Sequence, residues 1–374
     1  MKSLLRGKRL VTLMLLLFLA GIVVLVYKIQ TEASYYITRS GNAVYGMVYD
    51  RDGDVLFDGL HGYAGYESGH FADIGTLIGD TSGQMSNTLV ARNLDLLNNY
   101  NFTNGIGKDG KASVHTTLNH AANQATYKAY GKKDGTAIAY NYLTGEILVC
   151  VSKPCVDVAT GYENVESMPS GSLLCKAFYG TVPGSTQKVS TTLAAVESMG
   201  RERLFSLRFS CSGSYVNKSG QRINCHKATH GSQDITKAFA NSCNPFFAQL
   251  IESDAFPLED ISKTYQHLGY TLNGAQKTTF SIDGLTCETA STTILNKNDF
   301  DTQWSCMGQG DTLVSPCQLM LWESAVAKGN GIVTLPHLIA SATDSTGKVI
   351  KQAKTETTEQ RRRLAAPWFP FSPA

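Results

Sequence analysis

The chain of 374 residues carries 33 Lys and Arg against 31 Asp and Glu, a formal net charge of +2. That length allows one large domain, a smaller one and a sizeable core. The near balance of charge removes any general reason to expect a nucleic-acid partner.

Lys2, Arg6, Lys8 and Arg9 precede an uncharged apolar run over residues 10–27. At about 1.5 Å of helix per residue, such a run reaches across a bilayer core. A cleaved signal peptide is the alternative, but its apolar stretch is shorter and ends in a small-x-small site. Here Tyr27-Lys28-Ile29-Gln30 follows instead. An uncleaved anchor is expected over residues 1–30. The basic flank stays in the cytoplasm, which places the rest of the chain outside it.

Residues 43–57 alternate as strand and are broken at Asp50-Arg51-Asp52-Gly53, a turn signal. The chain then turns irregular, with a helical patch at 88–97, so residues 31–112 read as a small membrane-proximal module. From Ser113 the pattern sharpens. A strand ends in a cap at Asn119, and a helix with Ala121, Ala125 and Ala129 is stopped by Gly131. Residues 136–142 and 146–152 form a hairpin through Leu143-Thr144-Gly145. Apolar residues at helical spacing follow at Val189, Leu193 and Val196, then over 235–250 and 318–328. Strands first and mostly helices afterwards predict an α+β domain with an antiparallel sheet.

The nine cysteines leave at least one thiol unpaired. Cys211 and Cys225 flank a Gly-, Ser-, Asn- and Lys-containing loop. A bridge closing it would contribute about 3 kcal/mol by chain entropy. The competing reading is zinc on Cys211, Cys225, His226 and His230, but the Cys-x2-4-Cys half of such a site is missing. A Cys211–Cys225 disulfide is therefore expected, with no metal and no cofactor.

Ser185 stands three residues before Lys188, and Ser242-Cys243-Asn244 comes later. A serine and a lysine at that spacing share one helix face, which lets an amine take the hydroxyl proton. Burial lowers a lysine's pKa and makes the neutral base accessible. The spacing alone is weak, since Ser345-Thr346-Gly347-Lys348 repeats it in an evident turn and Ser40-Gly41-Asn42 repeats the second motif. Cys243, with no base evident beside it, reads as a small apolar filler.

Order and flanks strengthen both motifs, and here the chain resembles the class B penicillin-binding proteins, single-pass transpeptidases without a glycosyltransferase domain. The resemblance covers roughly residues 43–347. It is carried by Asp50-Arg51-Asp52-Gly53-Asp54-Val55-Leu56, by Thr116-Thr117-Leu118-Asn119 with Gln124, and by Thr144-Gly145-Glu146-Ile147-Leu148. Pro183-Gly184-Ser185-Thr186-Gln187-Lys188 follows, with Gln187 where an aromatic is commoner. His230-Gly231, Asp234 and Ser242-Cys243-Asn244-Pro245-Phe246-Phe247 come next, then Gly308-Gln309-Gly310 and Leu313-Val314-Ser315-Pro316.

The resemblance implies a penicillin-binding protein and serine β-lactamase-like fold over residues 113–355. It implies a D,D-transpeptidase that cross-links peptidoglycan, with catalytic Ser185 (nucleophile), Lys188 (base), Ser242 and Asn244. The implied partners are peptidoglycan stem peptides, β-lactams, the membrane and a polytopic glycosyltransferase. A non-catalytic peptidoglycan- or β-lactam-binding module is the alternative. A soluble serine β-lactamase is disfavoured by the anchor.

Two departures stand out. The arginine common near the first strand is not evident around Tyr45-Gly46. No Lys-Thr-Gly follows Pro336, and Lys354-Thr355-Glu356 is the nearest candidate, with Glu356 where glycine would admit substrate. The tail at 356–374, with three prolines and three aromatics, continues no helix or central strand. An interrupted gene is preferred over a partner-binding tail. The expectation is a truncated chain, unstable and slow to acylate if it acylates at all.

Overall fold

The computed structural model describes residues 2–39, 43–63, 65–101, 105–106, 111–163, 165–226 and 229–358. Of the expected tail, everything past 358 lies outside the described residues. The N-terminal helix Lys2–Arg39 contains a 23-residue apolar span, Gly7–Ile29, long enough to cross a membrane. None of that span is covered by the rest of the chain.

A five-stranded sheet runs in the order Val349–Gln352, Ile339–Thr343, Ser113–Thr116, Met47–Tyr49, Val55–Asp58. Its pairings are antiparallel except one: Met47–Tyr49 lies parallel to Ser113–Thr116, with Val48 opposite Val114. The wholly antiparallel expectation is corrected at this pair. Parallel strands need a crossover of a dozen residues or more, and the chain between the two strands is long enough to supply it. The expected division at 112/113 therefore does not separate the sheet, because strands from both sides hydrogen-bond to each other. Val48, Leu56, Val114, Ile339 and Ala342 project into one core with Phe71, Ile74 and Phe178. Full burial of each large side chain contributes about 2 kcal/mol.

The hairpin Gly135–Tyr140 and Ile147–Lys153 forms as expected, turning at 141–146. Its turn is fixed by the Asn141 carboxamide, which accepts from the Leu143 N–H at 2.9 Å.

A second core belongs to the helices. Lys188–Met199 buries Lys188, Thr191, Ala194 and Ala195 along one stripe and ends at Gly200, whose φ is +79°. It packs on Leu258–His267, where Ser198 donates to Asp260 at 2.6 Å. The run expected as one helix over 235–250 is two, Ile235–Ala240 and Asn244–Glu252. Pro245 lacks an N–H, and its ring would strike the Asn241 carbonyl in a continuous helix. Asp234 caps the first helix by accepting from Lys237 N at 2.9 Å. The second buries Phe246, Phe247, Leu250 and Ile251 completely. The break between them, at 241–243, carries the site.

Candidate active site

Three short segments meet at Lys188. The first is the 3-10 turn Gly184–Gln187, which feeds directly into the helix Lys188–Met199. Gly184 has φ +59°, and its N–H donates to Gly308 O at 2.8 Å. A Cβ on Gly308 would stand 1.8 Å from the Gly184 carbonyl, and Gly308 itself has φ +84°. Only glycine at 308 lets the two backbones touch. This contact sets the height of the Ser185 turn.

The second segment is the helix break. Ser242 adopts φ +50°, a left-handed conformation uncommon for a residue with a side chain. It is held there by its own N–H to Phe239 O at 3.0 Å and by Cys243 N to Ala238 O at 2.9 Å. Strain of this kind costs about 1–3 kcal/mol and persists only where the surroundings impose it. The third segment is the start of the following helix, where Asn244 Nδ2 donates to Asn224 O at 3.2 Å. That bond fixes which end of the carboxamide faces inward.

Lys188 is 2% exposed. Its Nζ lies 2.9 Å from Ser185 Oγ, 3.0 Å from Ser242 Oγ, 3.0 Å from Ser242 O and 2.7 Å from Asn244 Oδ1. Ser242 Oγ is 2.8 Å from Ser185 Oγ. The Phe247 ring closes another side, its centre 5.5 Å from the amine. Burial lowers the lysine's pKa from 10.5 to about 8, while Cys243 and Cys225 push in the opposite direction. The Ser242 carbonyl and Asn244 Oδ1 can only accept, so they consume two N–H bonds. A neutral amine then has its lone pair free for the Ser185 hydroxyl. Ser185 itself is exposed, open to a substrate from outside.

The structure thus brings together Ser185, Lys188, Ser242 and Asn244. Ser345 and Lys348 lie elsewhere, in the turn between two sheet strands, and Ser40 and Asn42 fall outside the described residues. Thr355 donates to the Thr144 carbonyl at 3.1 Å, in the hairpin turn, so Lys354-Thr355-Glu356 is engaged away from the cluster. Gln187, where an aromatic was the commoner expectation, is buried and accepts from Tyr270 Oη at 2.5 Å. Tyr270 in turn stacks between Tyr265 and Trp322.

Cys211 and Cys225, expected to pair, are both free thiols, and the remaining cysteines are free as well. Cys243 is not an isolated filler, because its sulfur lies 3.9 Å from that of Cys225. His226 is exposed, and His230 is the histidine that faces the thiols. Neither Gly308 nor Tyr270 was assigned to the site from sequence. Gly308 stood in a matched segment, but nothing in its spacing revealed which backbone it would touch.

The family model described as "Penicillin binding protein transpeptidase domain" matches residues 135–365. The chain is similar to peptidoglycan D,D-transpeptidase PbpA of Mycolicibacterium smegmatis, 26% identical over 283 residues, with 70% of this chain and 55% of that protein covered. It is also similar to stage V sporulation protein D of Bacillus subtilis, 29% identical over 248 residues, with 64% and 35% covered. The chain spans about half the length of the first relative and about a third of the second. Its fold matches the penicillin G acyl-enzyme complex of penicillin-binding protein A from M. tuberculosis. That match has a TM-score of 0.66 at 19% identity, with 84% of this chain and 77% of that chain covered.

Proposed function

The chain belongs to the penicillin-binding protein transpeptidase family, and from that premise we propose that it is a membrane-anchored serine D,D-transpeptidase acting on peptidoglycan. The observation that carries the proposal is the buried Lys188 amine in hydrogen-bond contact with Ser185, Ser242 and Asn244 together.

Ser185 is the nucleophile. An unperturbed lysine is neutral in about one molecule in 3,000 at pH 7. A pKa of about 8 raises that to about one in ten. Neutral Lys188 takes the Ser185 proton as Oγ attacks the carbonyl of a D-Ala-D-Ala stem peptide. The amide C–N bond breaks, and Ser242, within reach of both Ser185 and Lys188, passes a proton to the departing nitrogen. The acyl-serine is released when an amine from a neighbouring strand attacks it: Lys188, neutral again once its proton has gone through Ser242 to the departing nitrogen, accepts the amine proton and returns it to Ser185 Oγ. A β-lactam enters by the same attack, its ring amide taking the place of the peptide. Asn244 holds Lys188 from one side and offers its carboxamide to the substrate carbonyl. These roles use proton transfer between groups already at hydrogen-bond distance.

Lys2, Arg6, Lys8 and Arg9 precede the uncharged run over residues 10–27, which supports a cytoplasmic N-terminus and an extracytoplasmic catalytic domain. A polytopic glycosyltransferase in the same membrane, the partner that the family resemblance implies, is the proposed one.

The test is covalent labelling. The full chain in detergent is incubated at length with excess fluorescent penicillin, and the adduct is mapped by peptide mass spectrometry. An adduct on the peptide holding Ser185, lost in Ser185→Ala, supports the reading. A folded protein that stays unlabelled, or labels elsewhere, defeats it.

A further inference from the structure

Behind the helix break, four potential metal ligands converge. Cys211 ends the strand Phe209–Cys211, Cys225 follows the strand Arg222–Asn224, His230 precedes the strand Gly231–Gln233, and Cys243 opens the helix Asn244–Glu252. The backbone brings them together: Cys211 pairs with Gly231, and Cys225 N donates to Gly213 O at 2.9 Å. Their three sulfurs and one imidazole nitrogen lie within 4.8 Å of one another.

We propose that Cys211, Cys225, His230 and Cys243 form a structural zinc site. The distances decide between zinc and a disulfide. A tetrahedral zinc with Zn–S about 2.3 Å and Zn–N about 2.0–2.1 Å has S···S edges of about 3.8 Å and S···N edges of about 3.5 Å. Here Cys225 Sγ is 3.9 Å from Cys243 Sγ, and His230 Nδ1 is 3.4 Å from Cys225 Sγ and 3.7 Å from Cys211 Sγ. A disulfide needs about 2.05 Å between two sulfurs, and it would leave the third thiol and the imidazole facing a bond that uses neither.

A second observation points to the same occupant. Gln233 is 1% exposed; its Oε1 accepts from Asn241 at 2.8 Å, while its Nε2 has no oxygen or nitrogen partner. That buried N–H, on the strand that follows His230, is an unpaired donor available to a metal-bound thiolate. Cys211 and Cys243 are buried, while Cys225 and His230 are part-exposed, so the site is closed yet reachable from solvent. Binding would release the three thiol protons and leave three thiolates and a neutral imidazole around the ion. Because Cys243 lies between Ser242 and Asn244, the ion would clamp the left-handed turn that presents both to Lys188. Zinc would then be a positioning element for the acyl-transfer site, though its binding stands independently of that activity.

The experiment is metal analysis of the full chain purified with reductant and without chelator. We expect one equivalent of zinc per chain. Exchange for cobalt should give the absorption of a tetrahedral, thiolate-ligated ion. Cys225→Ser should lower zinc affinity more than about 100-fold. Cobalt exchange on the unaltered chain keeps the test valid if that variant fails to fold. Zinc below about a tenth of an equivalent after reconstitution would overturn the proposal. So would zinc content unchanged in Cys225→Ser, or a Cys211–Cys225 disulfide in protein isolated from the cell envelope without reductant.

Discussion

Two segments of this chain share the pattern Ser-x-x-Lys, and their surroundings make them different objects. At 345–348 the pattern closes a turn between the strands Ile339–Thr343 and Val349–Gln352. Asp344 Oδ1 accepts there from Thr346 N at 2.9 Å and from Lys348 N at 3.0 Å, and Lys348 is exposed. At 185–188 the serine sits on a 3-10 turn locked against Gly308, and the lysine is buried among Ser242, Asn244 and Phe247. The sequence spacing is the same in both places. Only burial lowers the amine's pKa, and only a second segment from elsewhere in the chain supplies the other acceptors.

The largest effect that would sharpen this contrast is the loss of labelling in Ser185→Ala, set against full labelling in Ser345→Ala on the same gel. Lys188→Met should come next. It removes the base and should slow acylation by more than about 1,000-fold. Its effect on melting temperature should be small, because relief of the buried amine's desolvation offsets the donor lost to Ser242 O and Asn244 Oδ1. Equal losses in Lys188→Met and Lys348→Met would erase the distinction.

Gly308→Ala attacks the contact beneath the Ser185 turn. The added methyl meets the Gly184 carbonyl at 1.8 Å, so either the turn moves or the domain loosens. Destabilisation of about 3 kcal/mol or more is expected by thermal or urea unfolding, with labelling reduced even where the protein remains folded. Gly347→Ala, at φ +82° with only a flexible Lys111 carbon within reach, should cost about 1 kcal/mol and leave labelling intact.

The pH dependence is smaller. Lys188 must be neutral to act as base, so acylation should rise with pH through about 8, by about tenfold between pH 7 and 9. Cys243 and Cys225 oppose the shift, but burial raises the pKa of both thiols, Cys243 to about 12, so burial of the amine dominates in this range. The stability sign follows from the same shift. The unfolded chain binds the proton up to about pH 10.5 and the folded chain only to about 8, so this group's cost to the fold is present below 8 and fades as pH climbs through that window. A flat labelling profile from pH 6.5 to 9 would separate Lys188 from the chemistry.

Much of the fold could be read from local pattern. The hairpin at 135–153, the helix after Lys188 and the cap at Asn119 are each specified by residues within a few positions. The parallel pairing of Met47–Tyr49 with Ser113–Thr116 was not legible, because the 63 residues between the two strands carry no local mark of it. The site divides in the same way. Ser185 with Lys188 and Ser242 with Asn244 are weak as bare spacings and are picked out by their order and flanks. Gly308 and Cys243 are not. One matters for a backbone contact across 124 positions, the other for sulfurs and a ring gathered from three further segments. The helix break at 241–243 was half visible: Pro245 marks it, but helical spacing of apolar residues on both sides concealed it.

One measurement bears most directly on the claim that burial and the Ser242–Asn244 segment, rather than spacing, make the 185–188 pair reactive. It is site-resolved mass spectrometry of the full chain after prolonged exposure to penicillin at pH 8.5. The account predicts a single penicilloyl adduct on the peptide containing Ser185, with the Ser345 peptide unmodified. An adduct at Ser345 or another residue, or none on Ser185 in a chain shown to be folded, would contradict it.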